Sequence, residues 1–256
     1  MTPMTLFSRA AYEWIHRLSQ KHKVFTSLDL SSEEKGALTR WTETEFVYST
    51  LKLDKVEVSR EKVAHLAARP TDFLGLSEEE LTVTTMLEAL RTIESLIASL
   101  GRAAELAPDV LIRLHNPLNT TAGFRETAGD TNRLFKPTPA AHLPAVVDSA
   151  CRWFAADSFR ELNPIEQAAI AYLRLVELQP FERASDRTAL VAASLFTMRS
   201  DLPPIIIKPE MEPQYLAALS EGLKTNTRPM VELMADAVEK AFDEMIRIIE
   251  GKRKRK

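Results

Sequence analysis

The chain has 256 residues, 45% of them apolar and 27% charged, which is enough hydrophobic material for a sizeable core and excludes wholesale disorder. Its 33 basic and 36 acidic residues leave a net charge of -3, so no global attraction to nucleic acid or to an anionic membrane is expected. One cysteine, Cys151, excludes an internal disulfide and fits a reducing, cytoplasmic compartment, and no uninterrupted run of apolar residues is long enough to predict a membrane span.

Apolar residues recur at helical spacing from the start, with Leu6, Ala10, Trp14, Ile15 and Leu18 in a first amphipathic helix. A second helix is predicted to open at Ser31, where Ser31 and Glu34 form a capping-box pattern, and to run to about Leu53. Ser77 with Glu80 marks another start, and that helix carries Met86, Leu87, Leu90 and Ile93 towards Gly101. The pattern breaks from Gly123 to Lys136, where β-formers flank the turn-prone Ala128-Gly129-Asp130 and Pro137 follows; this predicts a hairpin, which must pack on something to be stable. Cys151 falls in the helix-like stretch Leu143 to Ala155 and reads as a packed structural thiol.

Asn163-Pro164-Ile165-Glu166 supplies a cap, a proline at the first helical position and a first-turn acid for a nearly all-apolar helix reaching about Leu178, expected at the core. A further helix from about Asp186 to Met198 is expected to bury Leu190, Ala193, Leu195 and Phe196 against it, with Ser185 or Asp186 capping its start. Lys252-Arg253-Lys254-Arg255-Lys256 reads as a solvated basic tail. No repeat, low-complexity tract or long linker interrupts the chain, so residues 1–256 are expected to form a single domain. The five histidines are scattered without ligand spacing, and no metal site is expected.

The segment Leu178-Gln179-Pro180-Phe181-Glu182-Arg183-Ala184-Ser185-Asp186-Arg187-Thr188-Ala189-Leu190 resembles the signature of the Fic family, His-Pro-Phe-x-acid-Gly-Asn-Gly-Arg-x-x-Arg, and matches it at Pro180, Phe181 and Arg187. The surroundings agree in order and spacing. Leu111 to His115 followed by Gly123-Phe124-Arg125 resembles the family's helix leading into its flap hairpin, Asn163-Pro164-Ile165 the start of the helix before the motif, and Leu202 to Ile207 with Tyr215 its continuation. The similarity covers roughly residues 30 to 245 and implies an all-α, Fic-type helical bundle with a small β-hairpin flap.

Typical Fic enzymes move AMP from ATP onto a protein hydroxyl with the help of magnesium. The resemblance puts Gln179 where the base histidine belongs, and an amide cannot accept the proton of an attacking hydroxyl near neutral pH. Arg183 occupies the place of the metal-binding acid, with Glu182 one residue away, and Ala184-Ser185-Asp186 replaces the Gly-Asn-Gly whose backbone approaches phosphate. Arg187 survives as a phosphate-type contact, while Leu190 replaces the second arginine. The candidate nucleotide-binding set is therefore Glu182, Arg183, Ala184, Ser185, Asp186, Arg187 and Leu190, with Gln179 and Arg187 at the catalytic positions.

Thr50-Leu51-Lys52-Leu53-Asp54 resembles a shortened form of the family's inhibitory helix through Thr50 and Asp54, and reads equally well as a plain helix end. In the flap, Phe124, Arg125, Asn132, Arg133 and Leu134 would face a protein or peptide target aligned by strand addition. The resemblance thus implies a degenerate Fic-fold protein, inactive or nearly so in AMP transfer, that retains a cleft and flap for a peptide or nucleotide. No cofactor is implied unless activity remains, in which case it is ATP with magnesium. Two alternatives stay open: a nucleotidyl- or phosphotransferase using another set such as Glu182 with Arg187, and a regulatory partner of another protein.

Overall fold

The computed structural model describes residues 9–70, 72–116, 123–129 and 136–254. Its regular elements are all helical, in agreement with an all-α fold: α1 (Arg9–Thr26), α2 (Ser32–Leu53), α3 (Arg60–Ala67), α4 (Glu78–Leu100), α5 (Pro108–His115), α6 (Leu143–Phe154), α7 (Asp157–Arg160), α8 (Pro164–Leu178), α9 (Ser185–Met198), α10 (Glu212–Gly222) and α11 (Arg228–Arg253).

The starts of α2, α4 and α8 follow directly from side-chain chemistry. Ser31 Oγ accepts from the Glu34 amide while Glu34 Oε2 accepts from the Ser31 amide at 2.8 Å, and Ser77 with Glu80 repeats the arrangement. Asn163 Oδ1 takes the Ile165 amide at 2.9 Å, Pro164 needs no partner for its missing N–H, and Glu166 reaches back to the Asn163 amide.

Helix α8 is buried on nearly every face, as its apolar sequence requires, and its most extensive partner is α9. Leu190, Ala193, Leu195 and Phe196 are all buried, with Leu190 only 4% exposed. Phe154, Phe159 and Phe196 bring α6 and α7 against α9, their ring centroids 5.2 to 6.0 Å apart. Burying each such ring stabilises the fold by about 1.5–3 kcal/mol. Past α9 the chain runs extended through Ile205 to Ile207, and the buried Ser194 hydroxyl holds it by accepting from the Ile205 amide at 3.1 Å.

Two expectations need adjustment. The basic tail is not wholly solvated: Lys252 and Arg253 complete the last turn of α11, where Lys252 Nζ meets Glu33 and Arg253 Nε meets Glu34, each at 2.7 Å. The hairpin expected over Gly123 to Lys136 shows no strand in its described parts, Gly123 to Gly129 and Lys136, and residues 130–135, with Asn132, Arg133 and Leu134, lie outside the described residues.

Candidate functional site

The motif loop connects two helices that cannot move independently, because α8 and α9 share a buried face. Gln179 ends α8 in the left-handed region (φ 44°, ψ 64°), and Ala184 precedes α9 in the same region (φ 56°, ψ 20°). The loop is therefore pinched by two non-glycine residues in a conformation that costs an L-residue about 1–2 kcal/mol. Between them Ser185 Oγ donates to the Phe181 carbonyl at 2.8 Å and accepts from the Phe181 amide at 2.9 Å, closing the turn on itself. The expectation that Ser185 caps the first turn of α9 is thus corrected. The cap position falls one residue earlier, on Ala184, which has no side-chain acceptor, and the Ser185 hydroxyl faces back into the loop.

The flap segment is clasped to this loop by Arg125, which is buried at 5% exposure. Its Nε donates to the Gln179 carbonyl at 2.6 Å, one Nη reaches the Thr127 carbonyl at 2.7 Å, and the other reaches the carbonyls of Thr138 and Leu178. The Arg125 amide adds a bond to the Pro180 carbonyl at 2.9 Å. A guanidinium at the carbonyl end of α8 also meets the negative end of the helix dipole. Arg125, expected to face a target, is instead directed inward. Phe124 packs its ring 5.9 Å from that of Phe181, and Thr127 Oγ1 donates to Glu182 Oε1 at 3.1 Å.

Gly129 shows how closely this segment lies on Gln179. A Cβ at residue 129 would fall 2.7 Å from Gln179 Oε1 and 2.7 Å from Pro137, so only glycine fits there. Gln179 itself is 3% exposed. Arg125, Thr127, Gly129, Gln179, Glu182 and Ser185 are among the residues around a cavity of 170 Å³.

On the opposite side of Phe181 stands His115, the last residue of α5. Its ring stacks on that of Phe181 at 3.7 Å with the planes 4° apart, and its Nδ1 lies 3.0 Å from Thr188 Oγ1. The Thr188 hydroxyl also lies 2.9 Å from the Ala184 carbonyl; when it donates there, His115 Nδ1 is the donor to it. Burial, aided by the Arg187 charge, lowers the His115 pKa to about 4, which keeps the ring neutral at physiological pH.

Arg187 does not reach the 170 Å³ cavity. Its Nε lies 2.8 Å from Asp54 Oδ2, where Asp54 caps the C-terminus of α2. The pair lines a cavity of only 40 Å³ with Thr50, Tyr172, Asp186 and Leu190, and Tyr172 and Tyr215 close it with a hydroxyl contact of 2.6 Å. Thr50 takes no part in the ion pair; its hydroxyl donates to the Phe46 carbonyl at 2.7 Å. Asp54 is a helix cap and also neutralises Arg187.

Magnesium needs several oxygen ligands. The cavity beside Gln179 offers one carboxylate, Glu182, which is already bonded to Thr127, and Arg183 next to it is an exposed cation. Among the described residues no cluster of three or more His, Cys, Asp or Glu could hold a metal. Small-molecule sites usually occupy about 300–1,000 Å³, more than the 170 Å³ present here. The residues present do not fit a magnesium nucleotide in this arrangement.

The structure therefore brings together Gln179, Glu182, Ala184 and Ser185 in one cavity, and Asp54, Asp186, Arg187 and Leu190 in another. Glu182 and Arg187, paired in the alternative residue set, face different spaces. Thr127 was not singled out from sequence, and His115 reads there only as a helix-end residue, since no local spacing links it to Thr188, 73 residues away.

Residues 105–197 match the Fic/DOC family model. The chain is 32% identical over 91 residues to the Drosophila mojavensis protein adenylyltransferase Fic, covering 36% of this chain and 18% of that protein. It is 31% identical over 112 residues to the Caenorhabditis elegans protein adenylyltransferase fic-1, covering 44% and 22%. It thus spans about a fifth of the length of these curated relatives. Among solved structures, C. elegans Fic-1 superposes with a TM-score of 0.80 at 24% identity, covering 93% of this chain and 72% of the other. A Fic domain containing signaling protein from Bacteroides thetaiotaomicron does so with a TM-score of 0.76 at 18% identity, covering 93% and 97%. Through its residues 105–197 the chain resembles the Fic/DOC family, on a fold shared with these structures.

Proposed function

We propose that this chain is a degenerate Fic-fold protein that does not transfer AMP, or does so only marginally, and that its cleft serves to bind a segment of a partner protein. One observation carries the reading: Gln179 lies at the motif's base position and is buried beneath the flap, with Gly129 packed so tightly on it that no side chain fits between them. An amide in that place cannot take a proton, and removal of a general base usually lowers the rate by about 10² to 10⁴. Asp54 holds Arg187 away from the cavity that contains Gln179, which removes the remaining phosphate-type contact. What the cleft presents outward is its rim, the exposed Glu126, Thr127, Glu182 and Arg183, a surface suited to polar contacts with a protein.

The test is incubation with ATP labelled in the α-phosphate and magnesium, alone and with a lysate. The expected result is no label on the chain or on any protein that depends on it, for the wild type and for Gln179→His alike. Robust labelling by the wild type would overturn the reading.

A further inference from the structure

We propose a second ligand site, remote from the motif loop, that takes a small organic cation with an apolar body. A cavity of 420 Å³ opens between α1, α2, α4, the end of α9 and α11, and its size lies within the range of small-molecule sites, about 300–1,000 Å³. Phe25 and Phe242 form one wall, their ring centroids 5.4 Å apart at 53°. Met198 and Met245 contribute polarisable thioethers, and Leu202 and Ile97 extend the apolar surface.

The polar groups at this cavity are what select the ligand. Glu94 projects from α4 into it, and no ion pair or hydrogen bond within the described residues reaches that carboxylate. The neighbouring base, Arg91, is engaged by Glu43 through Nε at 2.6 Å and Nη2 at 3.2 Å. Asp201, the other acid on the lining, is paired with Arg102 at 3.3 Å. No lysine or arginine lines the cavity. Burial and the nearby Glu43 push the Glu94 carboxyl above its ordinary value against the weaker pull of Arg91, the cost of a half-buried acid with no counter-charge in contact. An ammonium would supply that charge, and the two phenyl faces favour a cation over a neutral group of the same shape. The motif loop contributes nothing to this lining, so the site stands independently of the reading given to Gln179 and Arg187.

The probe is 4-phenylbutylamine, titrated calorimetrically into the full chain beside 4-phenylbutanol, which has the same body without the charge. The amine is expected to bind at one site, with the alcohol about tenfold weaker or more, a difference of about 1.4 kcal/mol. Glu94→Gln is expected to bring the amine down to the level of the alcohol, and Ala98→Trp, at an exposed position on the lining, to abolish both. Circular dichroism and thermal unfolding verify that each variant is folded; should Ala98→Trp not fold, Ala98→Leu takes its place. Equal binding of amine and alcohol, amine binding unchanged in Glu94→Gln, or no saturable binding of the amine at millimolar concentration would each overturn the proposal.

Discussion

Arg125 and Gln179 are joined by a bond of 2.6 Å from the guanidinium Nε to the glutamine's backbone carbonyl, so the segment from Gly123 to Gly129 is anchored to the backbone of residue 179 and not to its side chain. That distinction matters, because a backbone anchor is indifferent to whether residue 179 can carry a proton.

Arg125→Ala should therefore loosen the flap and leave the carbonyls of Thr127, Leu178 and Gln179 without their donor. A cost of about 2–4 kcal/mol is expected in urea unfolding, with Arg125→Lys intermediate because lysine keeps the charge but cannot fork. Amide hydrogen exchange at residues 123 to 129 should rise in Arg125→Ala. An unchanged midpoint and unchanged exchange would show that the clasp is dispensable.

Ala184→Gly is expected to stabilise the protein. At φ 56° alanine sits where glycine has no steric penalty, so relief should exceed the entropy that glycine adds to the unfolded chain. A gain of about 0.5–1 kcal/mol corresponds to a rise in Tm of about 1–4 °C for a domain of this size. A fall in Tm would mean that the Ala184 methyl is held by packing that outweighs the backbone strain.

The ion pair between Glu34 and Arg253 makes a pH signature. The Arg253 hydrogen bond, with the Ser31 amide and hydroxyl, lowers the Glu34 carboxyl from 4.5 to about 2. A depressed carboxylate contributes stability that is present above the unfolded value and is lost as pH falls from about 4.5 towards 2. Glu34→Gln should flatten the unfolding free energy over that window, as should Arg253→Ala to a lesser degree, while the difference from wild type narrows at the acid end.

His115 gives the second window. Its folded value of about 4 lies below the ordinary 6.5, so the unfolded chain takes the proton first. Stability is full above 6.5 and declines as pH falls through 6.5 to 4. His115→Phe keeps a ring on Phe181 and should remove that part of the slope, at the cost of the Thr188 contact. If the slope between pH 6.5 and 4 is the same in wild type and His115→Phe, the ring does not titrate as described.

Cys151 is buried in α6, and burial raises its thiol to about 12. Alkylation by iodoacetamide at pH 8 should be negligible in the native chain and complete in denaturant, since only the thiolate reacts. Rapid native labelling would show that α6 opens locally.

The helices with local signals were legible in the sequence. Ser31 with Glu34, Ser77 with Glu80 and Asn163 with Glu166 each act over three residues, and the observed starts follow them. The burial of Leu190 followed from the helical period alone. The site was less legible, because its contacts join distant segments. Asp54 meets Arg187, 133 residues away in sequence, which no local pattern links to it. Arg125 turned inward because the carbonyl end of α8 needed donors, which no feature of the flap sequence declares. Ser185 lost its capping role because the helix begins one residue earlier than a Ser185 cap would require.

The most direct measurement is a calorimetric titration of the chain with ATP, with and without magnesium. A cleft of this size, without a metal-binding acid and with Arg187 committed to Asp54, should give no saturable heat that depends on magnesium. Micromolar ATP binding that requires magnesium, weakened at least tenfold by Arg187→Ala, would contradict the account.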